Sequence, residues 1–99
     1  MKMAFVVCNE FFIVEVMEIL RSADIDYYTR WDHAKGKGRG TEPHLGTGSH
    51  GATNSVLMIA FDDIAPLDRL IELITSLNSR ILRSDDRVRL FQVPLERIV

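Results

Sequence analysis

The residues best suited to chemistry crowd into one stretch of the chain. All six glycines and all three histidines lie between positions 33 and 51, and the stretch opens on Lys35-Gly-Lys-Gly-Arg-Gly40. Glycines expose backbone N–H groups, and here they alternate with cations. Lys35, Gly36, Lys37, Gly38 and Arg39 therefore form a candidate cradle for an anion, with a flexible basic loop as the plainer reading. No Gly-Lys-Ser or Gly-Lys-Thr follows, so this is not a Walker-type phosphate loop, and no dinucleotide fingerprint follows the first strand. His33, His44 and His50, with Asp32, Glu42 and Cys8 in the same chain, are candidate metal ligands, because neutral imidazole suits zinc, copper or nickel. Their spacings of eleven and six residues match no compact zinc signature. A histidine pair, a site shared across subunits and plain solvated loop residues all remain open.

The other reactive side chains read as structure. Cys8 ends an apolar run and is followed by Asn9 and Glu10, so nothing nearby in sequence lowers its pKa and it reads as an inert, buried thiol. Asp62 and Asp63 precede a helical pattern, where carboxylates cap the helix and meet the positive end of its dipole. Tyr27, Tyr28 and Trp31 read as core or interface packing, with Trp31 within reach of the loop base. No nucleophile-base or carboxylate motif stands out, and the chain reads as a non-enzyme.

The elements that must position the glycine-rich stretch follow from periodicity. Ninety-nine residues and 11.3 kDa are the size of one domain, 1–99, and 46% apolar with 26% charged residues is a globular balance. A net charge of -2 gives no global field for a phosphate backbone, so nucleic acid is not an expected partner. No apolar run exceeds that of residues 56–61, which is far below the roughly 20 residues that cross a bilayer, so no membrane insertion is expected. One cysteine and no leader-like opening point to the cytoplasm.

Residues 3–8 read as a strand buried on both faces. Residues 12–21 carry Ile13, Val16, Met17 and Leu20 on one helical stripe, with Asn9 as an N-cap and Glu10 favourable in the first turn. Residues 27–31 read as a second strand, residues 35–55 as a long loop whose flexible part is about 37–55, and residues 56–61 as a third strand. A second helix follows, with Leu67, Leu70, Ile71, Ile74, Leu77 and Ile81 as its stripe and Pro66 in its first turn. Residues 87–93 form the last strand. The order βαββαβ predicts a ferredoxin-like α+β sandwich, a four-stranded antiparallel sheet with two helices on one face and the first and third strands central. Strands apolar on both faces then leave an uncovered apolar surface, which predicts a closed homo-oligomer with clefts between its subunits.

Ala34-Lys-Gly-Lys-Gly-Arg39, ending the second strand after a β-α unit of matching length, resembles the Lys-Gly-x-Gly-Arg segment that opens the T-loop of PII signalling proteins. Val88-Arg-Leu-Phe-Gln-Val93, with Arg97 beyond, is similar to that family's final strand. The order and lengths of the elements match over almost the whole chain. The resemblance implies a homotrimer with three lateral clefts, each built from the T-loop base of one subunit and the last strand and neighbouring loop of another. It implies ATP, ADP or another anion as the small-molecule effector, with Lys35 to Gly38 and Arg87 lining the cleft and Arg39 facing the phosphates. It implies a regulator whose T-loop docks on a protein target such as a transporter or enzyme. Where the family carries Gly-Asp-Gly-Lys before the final strand, this chain reads Ser84-Asp-Asp-Arg87. Only the positive charge survives, as Arg87, while Asp85 and Asp86 set negative charge beside the phosphates and obstruct approach to backbone N–H groups. The related divalent-cation-tolerance proteins share the trimeric architecture. They carry the alternative of a trimeric divalent-metal-binding protein that uses His33, His44 and His50.

Overall fold

A computed structural model of the chain describes residues 1–38 and 53–99. Four strands form one antiparallel sheet in the order β2-β3-β1-β4: β1 is Lys2–Asn9, β2 Thr29–Ala34, β3 Asn54–Phe61 and β4 Arg89–Pro94. The two most apolar strands are the central pair, in register from Lys2 opposite Phe61 to Asn9 opposite Asn54. Alternation sends Ala4, Val6 and Cys8 of β1 and Ser55, Leu57, Ile59 and Phe61 of β3 to one face, where all are buried. Helix α1 (Ile13–Ser22) packs Val16 and Leu20 into that layer, and α2 (Ile64–Asn78) packs Leu67, Leu70, Ile74 and Leu77. Each such fully buried side chain contributes about 1.5–3 kcal/mol, which is why the two helical stripes decide where the helices lie. The architecture is the ferredoxin-like sandwich that the element order predicts.

Local signals fix the helix ends. Asn9 caps a 3-10 turn over Glu10–Phe12, its Oδ1 accepting from the Phe11 N–H at 3.0 Å, and α1 starts only after that turn. The Asp63 carboxylate accepts from the Ala65 N–H at 3.2 Å and caps α2. Asp24, at φ 57°, reverses the chain after α1, and Ile25 N–H returns to the Leu20 carbonyl at 2.9 Å. This is a left-handed helix stop made with aspartate instead of glycine.

Several boundaries differ from the periodic reading. Strand β2 runs over Thr29–Ala34 and not over 27–31, because Tyr27 leaves the ladder and sets its ring edge-on against Phe61, centroids 6.0 Å apart. Strand β3 starts two residues before the apolar run, since polar Asn54 and Ser55 pair with Asn9 and Cys8. Strand β4 starts at Arg89, with Val88 buried just before it. Ile71 lies half out of its stripe, and Ile81 is buried beyond the end of α2.

The face away from the helices is apolar and open. Pairing sets Met3, Phe5 and Val7 of β1 beside Val56 and Met58 of β3, with Trp31 at one edge and Phe91 and Val93 at the other. Trp31, Phe91 and Val93 are 48%, 56% and 43% exposed.

Candidate functional site

The antiparallel order brings the ends of β1 and β2 and the starts of β3 and β4 to one end of the sheet. Lys35, Gly36, Lys37 and Gly38 continue from β2 there, and Arg87 precedes β4. These two groups share an end but sit on opposite edges. Three inter-strand steps separate them, about 14 Å. Arg39, His44 and His50 lie outside the described residues.

A bulge shapes the β2 side. Three residue steps from Trp31 to Ala34 match two from Val56 to Asn54, so the extra residue is absorbed at Asp32 and His33. His33 takes φ 60°, the left-handed region that a residue with a Cβ seldom enters. Glu10 holds it there: its carboxylate accepts from the His33 backbone N–H and meets His33 Nδ1 at 2.9 Å. The Glu10 backbone N–H donates to the Thr53 carbonyl at 3.1 Å, so the same residue also ties the start of β3. Beside it the Asp32 carboxylate accepts from Arg30 Nε at 2.9 Å and from Ser55 Oγ at 2.7 Å. Those two bonds, Arg30 first, hold the Asp32 carboxyl below its ordinary pKa. At Gly36 a Cβ would lie 2.7 Å from Asn54 Nδ2, closer than such atoms approach, so any larger residue there obliges the Asn54 side chain to shift.

On the β4 side two backbone amides are already engaged. Ser84–Asp86 is a 3-10 turn in which Asp86 N–H bonds to the Arg83 carbonyl at 3.1 Å and Arg87 N–H to the Ser84 carbonyl at 3.3 Å. Those N–H groups are thereby spent inside the turn. The acidic pair is partly engaged: Asp85 meets Arg83 at 3.6 Å, and Asp86 accepts from Asn9 Nδ2 at 3.4 Å. Asn78 at the end of α2 grips the chain just past Arg87, exchanging two 2.8 Å bonds with the Val88 N–H and carbonyl. Arg87 itself is exposed.

The same architecture is found in a solved structure of CPII, a nitrogen regulatory PII-like protein from Thiomonas intermedia K12, bound to ADP, AMP and bicarbonate. The two superpose with a TM-score of 0.59 at 17% sequence identity, over 99% of this chain and 94% of that one. The fold is that of a PII-like protein. No family model and no curated protein matches the sequence.

Within this PII-like fold the remaining candidates sort by burial and place. Cys8 is buried against Ser55, and burial pushes its thiol up to about 12, outweighing the pull of Arg30. A thiol so raised is protonated and unreactive near neutral pH. Among the described residues no group of three or more His, Cys, Asp or Glu side chains is placed to hold a metal ion, and His33 is engaged by Glu10. A groove of about 490 Å³, lined by Met17, Leu20, Arg21, Asp24, Ile25, Asp26 and Tyr28, lies where α1 turns toward β2. That is the end of the sheet opposite to Lys35. The partners of Asn54 and Asn78 are set by folding alone, and Glu10, the first-turn acid of the 3-10 turn, gains its bond to His33 only through the fold.

Proposed function

We propose that this chain is a PII-like regulator, one domain over residues 1–99, that assembles as a homotrimer and binds a small anionic effector, an adenine nucleotide foremost, in clefts between subunits. The observation that carries this reading is the placement of Lys35 to Gly38 and of Arg87 at the same end of the sheet but on opposite edges. One chain holds them apart across β3 and β1. In a ring joined head to tail, the β2 edge of one subunit meets the β4 edge of the next, and the two basic groups converge on one cleft. The same closure covers the apolar face that carries Trp31, Phe91 and Val93. The ligands of the PII-like neighbour, ADP, AMP and bicarbonate, are all anions, in keeping with a basic cleft.

Because the amides of Asp86 and Arg87 are used within their own turn, phosphate recognition falls to Lys35, Lys37, Arg39 and Arg87, with the backbone of Gly36 and Gly38 in close approach. Binding by side-chain charge beside Asp85 and Asp86 is salt-sensitive. The effector acts by ordering: its unequal affinity for two conformations of the loop at about 37–55 shifts their populations, and a protein target such as a transporter or enzyme reads the result in the cytoplasm. The protein binds and signals and catalyses no reaction; nucleic acid and direct membrane insertion have no part in it.

A thermal-shift screen with ADP, AMP, ATP, bicarbonate and divalent metals, accompanied by light scattering, tests the proposal. The expected result is a particle of three times 11.3 kDa whose melting temperature rises with an adenine nucleotide, by about 2.7 kcal/mol of stability at a hundredfold excess over Kd. Stabilisation by zinc, copper or nickel alone would overturn it in favour of the histidines.

A further inference from the structure

We propose that Glu10 is a lock that holds the loop base in its bulged register and so sets the direction in which Lys35 and Lys37 face. That these lysines meet an effector rests on the function proposed above; the lock itself does not.

One residue bonds both stems of the loop. From the turn after β1, Glu10 donates its backbone N–H to the Thr53 carbonyl, at the start of β3, and accepts the His33 N–H on its carboxylate, near the end of β2. His33 is the bulge residue in the left-handed region, a conformation disfavoured for any side chain with a Cβ and retained where surrounding bonds over-determine it. The imidazole contact at 2.9 Å is largely exposed and adds little by charge, since the His33 side chain is 84% accessible. The bond to the backbone N–H is the part that fixes the chain.

The alternative state is defined by the same ladder. With His33 extended, the bulge vanishes and His33, instead of Ala34, stands opposite Asn54. Every residue that follows then moves by one place, and in a strand one place is the opposite face. Lys35 and Lys37 would exchange sides, and Gly36 would leave the position where its lack of a Cβ makes room for Asn54 Nδ2. Glu10 thus separates two discrete registers of the loop base.

The test uses the full chain with Glu10→Ala, Glu10→Gln, and Glu10→Ala combined with His33→Gly, read by amide exchange, cross-strand proton contacts and ADP titration. Glu10→Ala is expected to speed exchange of the His33 N–H at least tenfold, leave the amides of Val6, Leu57 and Ile59 protected, and replace the Ala34–Asn54 contact by a His33–Asn54 contact. Glu10→Gln, which keeps an acceptor oxygen, is expected to keep the register, and it carries the test if the alanine variant does not fold. His33→Gly should restore the Ala34–Asn54 contact in the alanine background, because glycine enters positive φ without help. An intact Ala34–Asn54 contact with unchanged His33 exchange in Glu10→Ala, or a register lost in Glu10→Gln as fully as in Glu10→Ala, would overturn the lock. ADP affinity is expected to fall tenfold with the register and return with His33→Gly. A switched register with no effect on ADP would uphold the lock and remove Lys35 and Lys37 from the effector site.

Discussion

At Cys8 the chemistry is silent by design of its surroundings, and its silence is measurable. Its thiol is held at about 12 against an ordinary 9.0, so between those values the unfolded chain has lost a proton that the folded chain retains. Unfolding then releases a proton, and stability falls as pH rises above about 9, by about 1.4 kcal/mol per unit. Below that range both states keep the proton and the contribution is level. Urea denaturation from about pH 8 to pH 10 should show a steeper alkaline decline for the native chain than for Cys8→Ala; equal slopes would mean that the thiol is not sealed. Gly36 makes a second prediction at this scale. Gly36→Ala drives a methyl against Asn54 Nδ2 and is expected to cost about 1 kcal/mol by the same denaturation assay. Gly36 was conspicuous in the sequence, but its partner was not: Asn54 stands 18 positions away in a polar stretch, and only the pairing of β2 with β3 brings them together. Glu10 is the first-turn acid that the sequence predicts, but its second role is hidden for a related reason. An acid just after a strand is an ordinary helix-start residue, and its bond to His33 depends on a bulge that no local pattern announces.

Elements were legible where one face is buried. The stripes at Val16 and Leu20 and at Leu67, Leu70, Ile74 and Leu77 set both helices, and the uniform apolar character of β1 and β3 identified the central strands. Edges were less legible, because β2 is exposed along most of its length and carries no alternation to mark its ends. Asn78 acts at this level. Its side chain pairs with both polar groups of Val88 and anchors the approach to β4, so Asn78→Ala leaves two backbone groups without that partner. The expected loss is about 2 kcal/mol, with Arg87 displaced and effector binding weakened in parallel. Asp63→Ala removes only a cap, and a loss of about 1 kcal/mol with unchanged effector affinity is expected. Calorimetric melting with an effector titration distinguishes the two.

On the scale of the whole molecule, the sheet has one covered face and one open one, and the candidate site is divided between opposite edges. Both facts point to assembly. Phe91 and Val93 lie on the open face, at the β4 edge, and Phe91→Glu or Val93→Glu is expected to lower the light-scattering mass from that of the proposed trimer toward one chain while the helical circular dichroism persists. Half of the division of the candidate site is legible in the sequence. The strand order sets Lys35 and Arg87 on different edges, whereas the closed turn over Ser84–Asp86 was not foreseeable from residue types. The most direct test is complementation by mixing. Arg39→Ala and Arg87→Ala chains are each titrated with ADP by calorimetry, then unfolded together, refolded and titrated again. If one subunit supplies the loop base and its neighbour supplies Arg87, each variant alone binds weakly, and the mixture regains tight sites in about one cleft in four by random assembly. A mixture that binds no better than either variant would contradict a cleft shared between subunits.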